Sequence, residues 1–221
     1  MKTALLLAGL LLVANAAPAQ NSQGSSPASS TTAAPVTAQL PQDKHEGITV
    51  SVDAYTSAAR GKDKFGKANP LAVGIFPVEV FLKNETNLPV RLGMDTIQLE
   101  VRSESGSHQD LDWLDPLQVA TAVAHPGGPS QPKMRKFPVG LGIPKDDKRD
   151  KMLAILKPFA LDTDLIAPMS TVHGFLFFDV SGDIPAPGGA SLYIPDLTVA
   201  TSKQTLMFFE VTLGNPNAAA R

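Results

Sequence analysis

The longest alternation of apolar and polar positions in this chain lies between Pro168 and Val180, in the segment PMSTVHGFLFFDV. Successive side chains of a β-strand point to opposite sides of a sheet, so an alternation of this length predicts a strand. Phe175 and Phe177 fall on the face that would otherwise be polar, which indicates that both faces are covered. We therefore interpret the segment as the central strand of a β-sandwich, with Gly174 at a point where another backbone or a bulky ring comes close.

Shorter alternating segments predict the remaining strands, at 47–55, 74–84, 88–92, 96–102, 191–200 and 204–213. Short turns separate several of them, which favours an antiparallel arrangement over βαβ units. Pro77 lies inside the second of these segments. Because proline donates no ladder hydrogen bond, it predicts either a sheet edge or the start of strand pairing at that point.

Two segments predict short helices, at about 116–124 and 146–157. Asp115 offers an N-cap to the first, followed by proline, and acidic residues begin the second, where the helix dipole favours them. The Lys- and Gly-rich connection at 56–70 predicts a solvated loop, and 103–110 predicts a polar turn. Residues 125–144 contain several prolines and glycines, and a loop of that length inside a domain is generally functional or disordered.

Two of these segments carry a resemblance to a known group of domains. The stretch VEVFLKNETNLPV is a strand that ends at an asparagine turn before a second strand, and GFLFFD closes the late central strand. Together they resemble the Ig-like sandwich domains of exported bacterial proteins of unknown function, over about 47–213. The resemblance implies a mainly β fold, an Ig-like antiparallel β-sandwich with one or two short helices inserted, and it implies export. It transfers no catalytic residues, because that group has no general activity.

The N-terminal segment predicts export independently of the resemblance. Residues 1–19 combine Lys2, an apolar run at 4–13 and small residues at two possible cleavage sites, which is typical of a signal peptide. The apolar run is about half the roughly 20 residues that a membrane-spanning helix needs. Residues 20–45 predict a disordered linker rich in Ser, Thr, Ala and Pro, 46–214 a folded domain, and 215–221 a frayed tail.

Composition narrows the class of protein further. The chain has 221 residues, a formal net charge of −2 and no cysteine. A charge this close to neutral does not favour nucleic acid as a partner. Without cysteine there is no disulfide, no thiolate metal site and no residue for lipid attachment, so we expect a free periplasmic or secreted protein.

Candidate chemistry is sparse, and we predict no catalytic residue, no cofactor and no metal site. The histidines lack metal-ligand spacing, and we interpret His173 as a hydrogen-bonded structural residue. Asp110, Asp112 and Asp115 lack the glycine and terminal glutamate of a calcium-binding EF-hand loop, so we interpret them as a turn with acidic caps that leads into a helix. The four histidines are His45, His108, His125 and His173.

The functional hypothesis is a non-enzymatic, exported binding module with a protein partner at the cell envelope. Its expected contact surface is the 125–145 loop with Lys133, Arg135 and Lys136, and an exposed sheet edge is the other candidate surface. The alternative is a carbohydrate- or small-ligand-binding sandwich that uses Trp113 and the nearby acids. A hydrolase is a third hypothesis, which requires a cleft where His173 meets carboxylates from other strands.

Overall fold

The structure, a computed structural model, describes residues 40–102, 108–127, 146–186 and 188–214. The predicted signal peptide, residues 20–39 of the predicted linker and the tail lie outside these ranges, as do residues 128–145 of the predicted binding loop. The strands and helices described below all belong to the folded domain that follows residue 39.

Strands dominate the described part of the chain, and three helices accompany them. The strands are β1 Gln42–His45, β2 Ile48–Ala54, β3 Ile75–Asn84, β4 Val90–Leu92, β5 Gln98–Arg102, β6 His108–Leu114, β7 Leu165–Ile166, β8 Ser170–Asp179, β9 Ala190–Ile194, β10 Leu197–Val199 and β11 Phe209–Thr212. The helices are α1 Ala58–Phe65, α2 Pro116–Ala124 and α3 Asp147–Leu156.

Eight strands form one antiparallel sheet in the order β1-β2-β3-β8-β6-β5-β9-β11, and β10, β4 and β7 form a second, three-stranded sheet. The edge strands β1 and β11 lie side by side. The carboxylate of Asp43 accepts a hydrogen bond from the Glu210 N–H at 3.2 Å, and the rings of His45 and Phe209 stack with centroids 3.8 Å apart. Side chains of β1 bridge this junction, which we call the seam, so the large sheet is nearly closed into a barrel.

The predicted central strand is an interior strand of the large sheet. β8 pairs with β3 over ten residues, from Asn84–Ser170 to Ile75–Asp179, and with β6 on its other side. Leu176 and Phe178 point into the apolar interior of the sheet, where the three-stranded sheet also buries its inner side chains. Phe175 and Phe177 point outward into a second core beneath the helices. The prediction that both faces are covered is therefore confirmed.

The second core is built by the three helices on the outer face of β3, β8 and β6. Phe65 at the end of α1 meets Phe175 edge to face, with ring centroids 4.9 Å apart, and both rings are fully buried. Edge-to-face aromatic pairs contribute about 0.5–1.5 kcal/mol beyond the burial of their area. The helices therefore cover the outer face of the central strand, while the interior of the barrel covers its inner face.

The two predicted helices are confirmed, and their caps explain where they begin. The Asp115 side chain accepts from the N–H groups of Leu117 and Gln118, and the Gln118 side chain accepts from the Asp115 N–H, which makes a capping box. Asp146 caps α3 through the N–H groups of Lys148 and Arg149.

Three expectations about the strands and loops were wrong. Residues 56–70 are not a solvated loop, because α1 occupies 58–65. Only Gly61 and Phe65 are buried within this helix, so the sequence shows no apolar stripe that would predict it. Residues 42–45 belong to β1 rather than to the disordered linker. Residues 108–110 open β6 rather than ending a turn. Pro77 pairs with Phe177 inside the β3–β8 ladder and lies just before the first β2–β3 pair, Ala54–Val78. It therefore marks the start of β2–β3 pairing, in a strand that is not at a sheet edge.

The mainly β, antiparallel part of the fold prediction is thus confirmed. An Ig-like sandwich has two separate sheets packed face to face, whereas here eight strands follow one another in a single sheet. The Ig-like arrangement therefore stays a prediction.

Candidate functional site

One end of the barrel exposes large apolar side chains. The exposed fraction is 74% for Met169, 60% for Met207, 49% for Phe208, 44% for Leu165 and 43% for Leu88. Leu88 lies between β3 and β4, and Met169 lies between β7 and β8. Leu165 opens β7, and Met207 and Phe208 directly precede β11. We call these five residues the apolar end. Contiguous exposed apolar patches with a polar rim are typical of interaction sites.

Asn84 joins two of the turns of the apolar end. Its side chain is 1% exposed, and its amide nitrogen donates to the carbonyl oxygens of Leu88 at 2.8 Å and Ala167 at 3.1 Å. Its amide oxygen accepts from the N–H and the hydroxyl of Thr86. The Asn-Glu-Thr sequence at 84–86 is also a glycosylation motif, but in the folded chain the amide nitrogen is buried and fully engaged.

Met169 occupies a backbone conformation that its side chain makes costly. Its φ is +51°, in the left-handed region that costs a residue with a Cβ about 1–2 kcal/mol. The Met169 N–H donates to the Thr86 carbonyl at 3.1 Å, which fixes the turn in this conformation. A glycine would adopt this conformation without that cost. The exposed methionine at this position therefore favours a role for its side chain in binding.

The seam holds the rest of the apolar end in place. The Glu46 carboxylate accepts from the Met207 N–H at 2.6 Å, and His45 Nε2 lies 3.1 Å from the Phe208 carbonyl oxygen. The ring of Phe208 also contacts Tyr193, with centroids 5.6 Å apart. The backbone that presents Met207 and Phe208 is therefore bound by side chains of the β1–β2 hairpin.

The predicted site residues do not come together in the described part of the chain. Lys133, Arg135 and Lys136 lie outside the described residues. Trp113 is half-buried, and its ring packs against the interior core. Its indole N–H donates to the Met94 carbonyl at 2.7 Å. That arrangement favours a packing role for Trp113 over an open stacking surface for a sugar.

His173 does meet a carboxylate from a neighbouring strand. Its Nδ1 lies 3.8 Å from the carboxylate of Glu79 on β3, which is itself only 7% exposed. The same carboxylate accepts from the Tyr55 hydroxyl at 3.3 Å and lies 3.6 Å from Lys64 Nζ. The His173–Glu79 separation is longer than the 2.6–3.2 Å of a hydrogen-bonded general base and its partner.

Two residues near this carboxylate, Tyr55 and Arg60, have raised pKa values. Burial raises the pKa of the Tyr55 hydroxyl, and the charge of Glu79 adds to the effect. Tyr55 therefore stays protonated and continues to donate to Glu79. Arg60 forms a two-point ion pair with Asp53 and lies over the Tyr55 ring, and the hydrogen bond to Asp53 raises the pKa of its guanidinium. The cluster fixes α1 on the sheet.

The opposite end of the barrel contains a cavity of about 280 Å³. Its walls are mainly apolar, with Val52, Phe76 and Leu213 among them, and Asp53 and Thr56 are polar residues in its lining. The mouths of β-barrels are frequent sites for small ligands.

The predicted acidic turn is divided between two elements. Asp115 caps α2 as expected. Asp110 and Asp112 instead lie on β6 with His108, on the solvent side of the large sheet. The spacing His-x-Asp-x-Asp could have predicted this placement, because residues two apart on a strand share a face.

The apolar end was missed for a different reason. Its five residues come from distant parts of the chain, and an isolated exposed Leu or Met leaves no pattern in a sequence.

Comparisons with known proteins add no functional assignment. No protein-family model matches the chain, and no curated protein matches it. A solved structure of a functionally unknown protein from Listeria monocytogenes EGD-e is similar at 12% sequence identity and a TM-score of 0.33, covering 79% of this chain and 81% of that one. Among the described residues, no helix is long and apolar enough to span a membrane.

Proposed function

We propose that this chain is a non-enzymatic, exported binding module that contacts a protein partner at the cell envelope through its apolar end. Export and the Ig-like character of the domain rest on the sequence features described above. The binding role is supported by one observation, the exposure of five large apolar side chains in or beside segments that hydrogen bonds connect.

Two features of the apolar end favour a protein partner. Its side chains are methionines, leucines and a phenylalanine, and aromatic residues and methionine are enriched at protein interfaces. Its turns are fixed by Asn84 and Glu46, so a partner meets a surface that is already ordered. Binding to an ordered surface avoids part of the entropy cost of association.

Substitutions at the apolar end separate binding from folding. In Met169→Gly the φ of +51° becomes unstrained, so we expect the free energy of unfolding to stay within about 1 kcal/mol of the wild type. The same change removes the most exposed side chain of the apolar end, and we expect partner affinity to fall at least tenfold, as for a truncated interface residue of about 1.4 kcal/mol or more. Phe208→Ser tests the other side of the apolar end.

Site-specific photo-crosslinking in an envelope fraction supplies the measurement. A photoreactive residue is placed at position 169, and the matched control carries it at Lys151, an exposed residue of α3. We expect one product that forms from position 169 and not from 151. Excess unlabelled wild type should compete for it, whereas Met169→Gly and Phe208→Ser should not.

The same competition distinguishes the apolar end from the predicted loop. A chain with 128–145 replaced by a Gly/Ser linker should compete as well as the wild type. If that chain fails to compete while Met169→Gly competes fully, the binding surface is the loop with Lys133, Arg135 and Lys136, and the assignment to the apolar end is wrong. Equal labelling from positions 169 and 151 would remove the support for a protein-binding role at this end.

The cavity at the opposite end supports a second candidate function, the binding of a small ligand. Because its lining is mainly apolar, an apolar molecule fits it better than a sugar does. Ala54→Leu introduces a larger side chain into the lining and should abolish binding of an anilinonaphthalene dye. Dye binding that is the same in Ala54→Leu and the wild type would exclude the cavity as the site.

A further inference from the structure

The solvent side of β6, β5, β9 and β11 forms a regular polar face. The strand register places Asp110 opposite Glu100, Glu100 opposite Ser191, and Ser191 opposite Thr212. The next row, at the end of β5 and the start of β6, pairs His108 with Arg102. The inward residues between them, such as Leu99 and Leu192, are fully buried, so the sheet holds this outer face rigidly.

Three possible metal ligands converge at one corner of this face. One ligand atom from each of Glu100, His108 and Asp110 lies within 4.8 Å of the other two. His108 Nε2 lies 2.8 Å from Asp110 Oδ1, and both side chains are about half exposed. Among the residues that the structure describes, this is the single group of three His, Asp or Glu side chains with that geometry.

The register also places two carboxylates beside each other at this corner. Like charges directly opposite each other on neighbouring strands are destabilising, and Glu100 and Asp110 are directly opposite. A divalent cation between the two carboxylates would reverse the sign of that interaction. A neutral His108 with its proton on Nδ1 would offer the Nε2 lone pair as the third ligand.

A second feature of this corner is a cavity of about 230 Å³ that begins at Glu100. Its lining includes the hydroxyls of Ser191 and Thr212 and the charged groups of Arg102 and Glu210. Glu100 thus belongs to both the three-ligand group and the cavity. A cation held by three side chains still requires a fourth ligand, and this cavity has room for water or a small oxygen donor beside Glu100.

We propose that Glu100, His108 and Asp110 form a binding site for a first-row divalent transition metal, with Zn²⁺ as the representative ion. The ligand set decides the class of metal: imidazole suits zinc, copper, iron and nickel, whereas calcium and magnesium take oxygen ligands. This site is independent of the apolar end and of the function proposed for it.

Isothermal titration of Zn²⁺ into the metal-free full-length protein provides the test. We expect one saturable site per chain that millimolar Mg²⁺ or Ca²⁺ does not displace. His108→Ala, Glu100→Gln and Asp110→Asn should each weaken binding at least about tenfold, since even groups that only orient ligands affect metal affinity 10- to 100-fold. Arg102→Gln should strengthen binding, because it removes a cation from the edge of the site.

The chain offers a matched control in His125, whose Nε2 lies 2.6 Å from the Asp146 carboxylate. This pair reproduces the His108–Asp110 contact without a third described ligand, so His125→Ala should leave Zn²⁺ affinity unchanged. Each variant should unfold cooperatively on heating in the presence of a chelator, which confirms that it folds without the metal. The proposal fails if the wild type shows no saturable binding, or if His125→Ala weakens binding as much as His108→Ala does.

Discussion

Gly174, in the middle of the central strand β8, lies where another segment of backbone crosses the sheet. A Cβ built on Gly174 would lie 2.5 Å from the Leu161 nitrogen, 2.6 Å from its Cα and 2.8 Å from the Ala160 carbonyl carbon. The crossing segment is tied to β8, since the Leu161 N–H donates to the Phe175 carbonyl at 3.1 Å. Leu161 itself is 3% exposed and belongs to the interior core. The added Cβ of Gly174→Ala would therefore clash with backbone atoms, which cannot move aside as a flexible side chain can.

The cost of this substitution can be worked out from these distances. Ordinary contacts of a Cβ begin near 3.4 Å, so the crossing segment must retreat by about 0.6–0.9 Å, which follows from subtracting the distances above. Overpacking of this kind costs about 1–3 kcal/mol, and a lost Leu161–Phe175 hydrogen bond about 0.5–1.5 kcal/mol. Alanine also lowers the conformational entropy of the unfolded chain, which offsets about 0.4–1 kcal/mol of this loss of stability. We expect Gly174→Ala to lower the free energy of unfolding by about 0.5–4 kcal/mol.

Urea unfolding of the wild type and Gly174→Ala measures this loss directly. Thr171→Ala is the matched control, because it changes an exposed position of the same strand and should cost no more than about 0.5 kcal/mol. Amide hydrogen exchange adds a local readout: the Leu161 N–H should lose protection in Gly174→Ala and keep it in Thr171→Ala. A Gly174→Ala protein with wild-type stability and a protected Leu161 amide would refute the crossing geometry.

Three further predictions concern polar groups. Asn84→Ala should lower the free energy of unfolding by about 2–4 kcal/mol in urea, because it removes several hydrogen bonds of a buried amide at once; an effect below about 1 kcal/mol would contradict this. Tyr55→Phe should cost about 1–3 kcal/mol by removing a donor from the buried carboxylate of Glu79, and a neutral result would show that water replaces the hydroxyl. Hydrogen bonds from two lysines lower the pKa of Glu85 from 4.5 to about 2. Its contribution to stability is therefore present above about pH 4.5 and fades as the pH falls toward 2. The stability difference between wild type and Glu85→Gln, followed by thermal unfolding, should shrink over that interval; a constant difference would contradict the assignment.

The sequence predicted those elements whose buried and exposed positions alternate regularly within a single strand, or whose capping residues adjoin a single helix. The alternation around β8 and β3 was strong because each strand fills the interior with every second residue. The capping residues of α2 and α3 were visible because a cap acts within four residues. These signals are short-range, so the sequence alone could place the central strand and two of the three helices.

The remaining elements depend on contacts that the sequence does not display. α1 buries one large side chain, Phe65, and its position is fixed by the ion pair between Arg60 and Asp53 on β2. The apolar end requires knowing that residues 88, 165, 169, 207 and 208 meet at one end of a barrel. The Glu100–His108–Asp110 group requires the register of the β5–β6 hairpin, because neither strand carries all three ligands.

The seam shows why a charged segment folds where composition predicted a linker. Within the strand QDKH, the charged residues compensate for low hydrophobicity by binding the backbone of the opposite edge strand. The Asp43 carboxylate accepts a hydrogen bond from the Glu210 N–H, and the His45 Nε2 lies within hydrogen-bond distance of the Phe208 carbonyl oxygen. A typical hydrogen bond contributes about 0.5–1.5 kcal/mol, and these contacts stabilise a strand that has little apolar surface to bury. The same contacts join β1 to the segment that carries Met207 and Phe208. In the proposed function, a partner at the apolar end would therefore bind directly beside the strand at which the folded domain begins.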